Sequence, residues 1–353
     1  MILPGSYNAA AVLLILSMAC WGSWANTQKW AGGRWRFELY YYDFALGAVL
    51  CAVIAAFTFG SLDSKELTVQ DNFLITGYRN MIYGVAAGMV FNLGNMLFSG
   101  AVAVSGLSIA FPVELGFAFA TAVVLNYVLS PLANALPLFS GVALVLVAAI
   151  MAGAAYTAHL EAQRMAMQKA AAADPNAAPR RRLPRAGRGI ALSSIGGIIT
   201  GSFFWLLTNG AWAEPALSPY GTALLFSVGV LISTFLYNPF FMNFPVQGRP
   251  VEFKAYFKGG KREHLLGVLG GMIWMTGAML NFAVANASAA GTIGSSMTFA
   301  LGQGAVFFGT AWGLVAWREF KDAPAKAKAL LTGAFLFFAA GMIAVFSSQV
   351  NPR

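Results

Sequence analysis

The stretch Ile109–Ala120, IAFPVELGFAFA, places one carboxylate, Glu114, inside a long apolar run and two residues after Pro112. No other Asp, Glu, Lys, Arg or His lies between Arg79 and His159. The residues around it decide what kind of solvent this chain meets. Of the 353 residues, 58% are hydrophobic and 10% are charged. Soluble globular domains carry roughly 25% charged residues. Apolar segments of membrane-spanning length recur along the whole chain, each able to cross a hydrocarbon core of about 30 Å. The chain is therefore read as an all-α membrane protein. Backbone exposed to lipid must satisfy its own hydrogen bonds, and continuous apolar runs favour helices over short alternating barrel strands.

Ten spans are expected, at about 8–29, 41–60, 76–98, 101–128, 137–156, 189–210, 219–241, 265–285, 291–316 and 327–348. No basic region precedes the first apolar run, so that run is read as a retained helix rather than a signal peptide. The net charge of +9 sits between the spans. Alternate loops divide the Lys and Arg residues 3 against 19. The poor side holds Lys65, Arg79 and Arg353; the rich side holds Lys29, Arg34, Arg36 and the groups 164–188, 249–262 and 318–328. The positive-inside rule puts the rich side in the cytoplasm and both termini outside. Charge so placed implies lipid as partner and excludes nucleic acid. Residues 157–188 include QKAAAADPNAAPRRRLPRAGR and are read as a mobile cytoplasmic linker between two five-helix halves, 1–156 and 189–353. There, Arg180–Arg182 read as a solvated orientation signal or, alternatively, as a lipid or partner site.

The halves repeat. GVAAGMVFNLGNMLFSGAVAVS from Gly84 and GVLGGMIWMTGAMLNFAVANAS from Gly267 share eight of 22 positions without a gap, including Gly84/Gly267, Val85/Val268, Gly88/Gly271 and Ser105/Ser288. A weaker echo joins Gly22-Ser23-Trp24 to Gly201-Ser202-Phe203. Five helices per half send the second copy into the membrane from the opposite side, an inverted repeat typical of secondary transporters, with the substrate near the midplane. Gly84 with Gly88, and Gly267 with Gly271, form small-xxx-small patterns that suit close helix packing.

A carboxylate at the centre of the fourth span costs several kcal/mol unless it meets a wet cavity or a partner, or stays protonated. Pro112 removes a backbone donor just before it. Glu114 is thus a candidate for proton coupling or for accepting hydrogen bonds from a neutral solute. At similar depth lie Trp21, Trp24, Asn92, Asn95, Ser202, Trp205, Trp274, Asn281 and Gln303. Aromatic walls with a few convergent polar groups make a ligand site, although each residue alone is as well explained by packing between helices. His159 and His264 fall in cytoplasmic flanks, Cys20 and Cys51 read as apolar fillers, and neither metal-ligand spacing nor a phosphate loop is present. No enzyme chemistry, cofactor or metal is expected.

CWGSWANTQK, Cys20–Lys29, followed by WRFELYYYDF, Trp35–Phe44, resembles the signature of ureide permease-like transporters in the drug/metabolite transporter superfamily. GNMLFSGAVAVSGLSIAFPVELG, Gly94–Gly116, is similar to the corresponding region of glucose/ribose and rhamnose carriers of that superfamily. The resemblance implies five-plus-five helices and secondary-active, proton-coupled import of a small neutral polar solute through an inner membrane: allantoin-like ureides or nucleobases in the first group, sugars in the second. Arg36, Glu38 and Asp43 at the first cytoplasmic junction read either as orientation charge or as an inner gate of ion pairs. Competing readings are an exporter of hydrophobic cations and a receptor or scaffold without transport.

Overall fold

The computed structural model describes residues 3–32, 35–62, 67–129, 131, 133–173, 186–287 and 295–350. Arg34, Lys65, Arg180–Arg182, Ser288, residues 291–294 of the expected ninth span and Arg353 lie outside the described residues. Ten helices are long and apolar enough to cross a membrane: α1 Tyr7–Ala31, α2 Phe37–Phe57, α3 Tyr78–Ser105, α4 Leu107–Leu129, α5 Ala135–Ala170, α6 Ala186–Ala211, α7 Pro219–Asn243, α8 Lys261–Ala285, α9 Thr298–Ala316 and α10 Ala325–Ser348. Among the described residues there is no strand. The chain is a multi-pass membrane protein, as its hydropathy predicts.

Local chemistry sets the ends of these helices. Ser6 caps α1 by accepting from the Ala9 N–H at 3.3 Å. Ser218 caps α7, accepting from the Gly221 N–H at 3.1 Å, and Pro219 fills the first position, where its missing N–H has no cost. The turn from α3 into α4 needs a left-handed residue, and Gly106 supplies it at φ 82°. Ile15, Leu50, Ile54, Ile82, Leu236 and Ile343 stand exposed around the bundle and form its lipid-facing surface.

Three elements depart from the sequence reading. The fifth helix continues to Ala173 instead of ending near 156. The Ala-, Gln-, Lys- and Met-rich segment beyond the membrane has high intrinsic helix propensity, so it extends the helix as a stalk. Helix α1 is interrupted at Trp24, and α9 is interrupted around Gln303 and Gly304. Helix α4, by contrast, runs unbroken through Pro112, because that proline sits in the second turn and displaces a single backbone bond.

Several pairings recur when each first-half helix is exchanged with its second-half counterpart, although α4 packs more closely on α5 than α9 does on α10. Helix α3 lies on α6 as α8 lies on α1; α4 on α6 as α9 on α1; α2 on α8 as α7 on α3; and α5 and α10 pair with each other at the edge. Glycines bring the two equivalent seams together. A Cβ at Gly88 would collide with the Phe226 carbonyl, and one at Gly229 with the Val85 carbonyl. In the other seam, Gly271 meets the Phe44 carbonyl and Gly47 the Val268 carbonyl. Backbones this close form a rigid pair of crossings in which dispersion replaces the hydrophobic effect. The glycines read from the sequence as packing residues are indeed packing residues.

Candidate functional site

The interruptions in α1 and α9, the acid of α4 and the faces of α3, α6 and α8 converge on one cavity of about 50 Å³. Its walls are aromatic: Trp21 and Trp24, Phe91, Phe98, Phe111, Phe203, Trp274 and Phe299. Trp274 is stacked between neighbours, with ring centroids 4.2 Å from Phe91, 5.8 Å from Phe226 and 6.2 Å from Trp21. Trp24 lies against Phe44 at 4.9 Å and Phe98 at 5.8 Å. Stacked and tilted rings at these separations present flat, polarisable faces.

Four polar side chains enter this aromatic chamber. Glu114 is 3% exposed; its Oε1 accepts from Thr200 Oγ1 at 3.2 Å, and its Oε2 has no partner among the described residues. A buried oxygen without a partner is costly and marks a place where a proton, water or ligand group belongs. Asn95 donates from Nδ2 to the Tyr41 hydroxyl at 2.8 Å. Gln303 donates from Nε2 to the Phe299 carbonyl at 3.3 Å. With one N–H of each amide so used, the second N–H and the carbonyl end of both amides remain for a guest.

Six of the ten sequence candidates therefore meet: Trp21, Trp24, Asn95, Glu114, Trp274 and Gln303. Four do not line the cavity. Asn92 points into the α3–α7 seam and donates to the Val230 carbonyl at 3.1 Å, Ser233 at 2.8 Å and Thr234 at 3.1 Å. Asn281 ties α8 to α9 through the Thr298 carbonyl at 3.1 Å. Ser202 returns its hydroxyl to Ile199 of its own helix, and Trp205 sits on that helix beyond the lining. Tyr41, Thr200 and the phenylalanines were missed. Their signal exists only in three dimensions, since nothing in the sequence tells which face of a uniformly apolar helix meets α3 or α4.

The side rich in Lys and Arg has its own architecture. A larger cavity, about 470 Å³, opens there and is lined by Gln28, Lys29, Trp35, Arg36, Glu38, Val102, Ala103 and Gln247 among others. Its charges are mutually neutralised. Arg36 pairs with Glu38, and Lys29 pairs with Glu319. Glu319 also accepts from the Leu107 N–H at 2.9 Å and the Ser108 N–H at 2.7 Å, capping α4. The three residues grouped as a gate thus divide in two. Asp43 does not join Arg36 and Glu38 but accepts from the Tyr256 hydroxyl at 2.6 Å and bonds His264 Nδ1 at 2.9 Å. Burial and the bond to the Asp43 carboxylate hold the Tyr256 phenol well above its usual pKa, so it stays a donor.

A family profile described as ureide permease matches residues 40–183, a stretch that includes Tyr41, Asn95 and Glu114. Ureide permease 1 of Arabidopsis thaliana is 24% identical, aligned over 98% of this chain and 98% of that protein. Ureide permease 2 of the same plant is 25% identical over 99% of each. A solved crystal structure aligns with 99% of this chain and 100% of its own at a TM-score of 0.55 and 12% identity, a likeness of fold alone. The chain is similar to ureide permeases along nearly its whole length, first-helix motif and second half included.

Proposed function

We propose that this protein is a secondary-active carrier, not an enzyme, that imports a small neutral polar solute of the ureide or nucleobase kind by alternating access. The observation that carries the reading is the Glu114 carboxylate in an aromatic cavity between two halves in which several helix pairings recur. A flat ring bearing N–H and C=O groups stacks on Trp21, Trp24 or Trp274 and gives its N–H hydrogens to the free carbonyls of Asn95 and Gln303. The full-length relatives are named for ureides, which are molecules of this description.

Glu114 is the coupling residue in this reading. It exchanges a proton with the side to which the cavity opens, and its charge alternates with occupancy by the solute. The two halves form an inverted repeat and rock about the α2–α8 and α3–α7 seams. The cavity is too small for such a ring, so admission requires the Trp24–Phe98 wall or the Trp274 stack to part. The Lys/Arg-rich side is cytoplasmic, and the membrane is the inner membrane of a bacterial-type cell.

The test is uptake into proteoliposomes of labelled allantoin, uracil, rhamnose and a lipophilic cation, each with and without an imposed pH gradient. Accumulation of allantoin or uracil driven by the gradient is expected. Preferential uptake of rhamnose or of the cation would replace this reading with a sugar carrier or an exporter, and uptake indifferent to the gradient would remove the proton from it.

A further inference from the structure

The two cavities lie one above the other along the same pair of helices. On α1, Trp24 lines the aromatic cavity and Gln28, one turn on, lines the 470 Å³ vestibule. On α3, Phe98 lines the first and Val102, again one turn on, lines the second. One helical turn rises about 5.4 Å, so the wall between the cavities is a single layer of side chains. Gln28 crosses that layer and donates from Nε2 to the Ser99 carbonyl at 3.0 Å.

This layer is polar and incompletely satisfied. Gln28 is 7% exposed and Ser99 is fully buried. Gln28 Oε1 and Ser99 Oγ are both buried without a hydrogen-bond partner among the described residues. Buried polar atoms are nearly always paired, and two orphans in one thin partition raise the energy of the closed arrangement. The vestibule beyond has the charges of its described lining already paired, Lys29 with Glu319 and Arg36 with Glu38.

We propose that the Gln28–Ser99 crossbar is the inner gate of the solute path, and that its two orphan oxygens hand a neutral hydrogen-bonding solute from the aromatic cavity to the vestibule. The inference rests on the carrier reading above. When α1 and α3 part at this level, the Gln28–Ser99 bond breaks and the solute's N–H groups take up Gln28 Oε1 and Ser99 Oγ in passing. The opening therefore exchanges one set of hydrogen bonds for another and never leaves the solute bare. An apolar partition of equal thickness would strip the solute of all its partners at the crossing. Gln28 and Ser99 act on passage, while Trp21, Trp24, Trp274, Asn95 and Gln303 act on binding.

The test separates rate from affinity in proteoliposomes, with allantoin as probe. Binding is read from quenching of tryptophan fluorescence and transport from initial uptake and efflux rates. Gln28→Met keeps the side-chain volume and removes both polar ends. It is expected to lower the maximal rate at least tenfold while changing the binding constant less than twofold. Ser99→Ala, which removes only the orphan hydroxyl and is safe for folding, is expected to lower the rate two- to threefold at unchanged binding. Unchanged rates in both variants, or equal losses of rate and binding, would overturn the gate while leaving wild-type transport intact. Failure of the wild type to move allantoin at all would overturn the carrier reading and the gate together.

Discussion

The seam between α3 and α7 and the seam between α2 and α8 are built alike and locked differently. In the first, Gly88 lies on the Phe226 carbonyl and Gly229 on the Val85 carbonyl; in the second, Gly271 lies on Phe44 and Gly47 on Val268. One turn along, the neighbours of Gly84 are the apolar Leu217 and Leu225, whereas the nearest neighbour of Gly267 is Asp43. Asp43 is clamped by Tyr256 and His264, while the α3–α7 seam is clamped at another level, by Asn92 on Ser233 and Thr234. Asn92 lies midway along α3, whereas Asp43 lies near the start of α2, and a further bond from Cys51 Sγ to the Thr276 hydroxyl at 3.4 Å joins the other half of the α2–α8 seam. The two seams share their close glycine packing. The hydrogen bonds that lock the two seams sit at different levels along them.

The comparison breaks most visibly at the glycines. Gly88→Ala and Gly271→Ala each force a methyl onto a backbone carbonyl, and each should destabilise by about 2 kcal/mol or more. Melting in detergent checks both; seams that are true counterparts give losses within about 1 kcal/mol of each other, and a silent variant at either site denies the equivalence. Next comes Asn92→Leu, which removes the donor to the Val230 carbonyl, Ser233 and Thr234 while both hydroxyls keep their bonds within α7, and should cost about 1–3 kcal/mol in the same assay. Tyr256→Phe leaves Asp43 with His264 alone. It should cost about 1 kcal/mol and raise the rate of opening on the Lys/Arg-rich side, seen as faster efflux at unchanged binding. The smallest effects mark the edge of the site: Ser202→Ala and Trp205→Phe, which do not line the cavity, should leave uptake and stability within about 0.5 kcal/mol of the wild type.

How much of this was legible in the sequence depends on where the signal resides. Ten spans follow from hydropathy because lipid imposes a length and a polarity on every helix. Glu114 stands out because charge at depth is expensive. The repeat from Gly84 and Gly267 was visible because close backbone approach tolerates only small residues. Which polar residues share a cavity was not visible: Asn92 and Asn95 are three residues apart, yet one clamps a seam and the other lines the chamber. Tyr41 and Thr200, which hold Asn95 and Glu114, were hidden for the same reason, since helix rotation is fixed by packing and these helices are apolar on all sides. The grouping of Arg36, Glu38 and Asp43 failed in part, because Asp43 lies nearly two turns beyond Arg36 and meets α8 instead.

The central claim is that Glu114 couples movement of the solute to a proton from inside a chamber shared by both halves. The most direct measurement compares two modes of allantoin transport by Glu114→Gln in proteoliposomes: accumulation driven by a pH gradient, and exchange of labelled for unlabelled solute at equal pH. The account predicts that accumulation vanishes while exchange persists. Accumulation against a concentration gradient by this variant would contradict it.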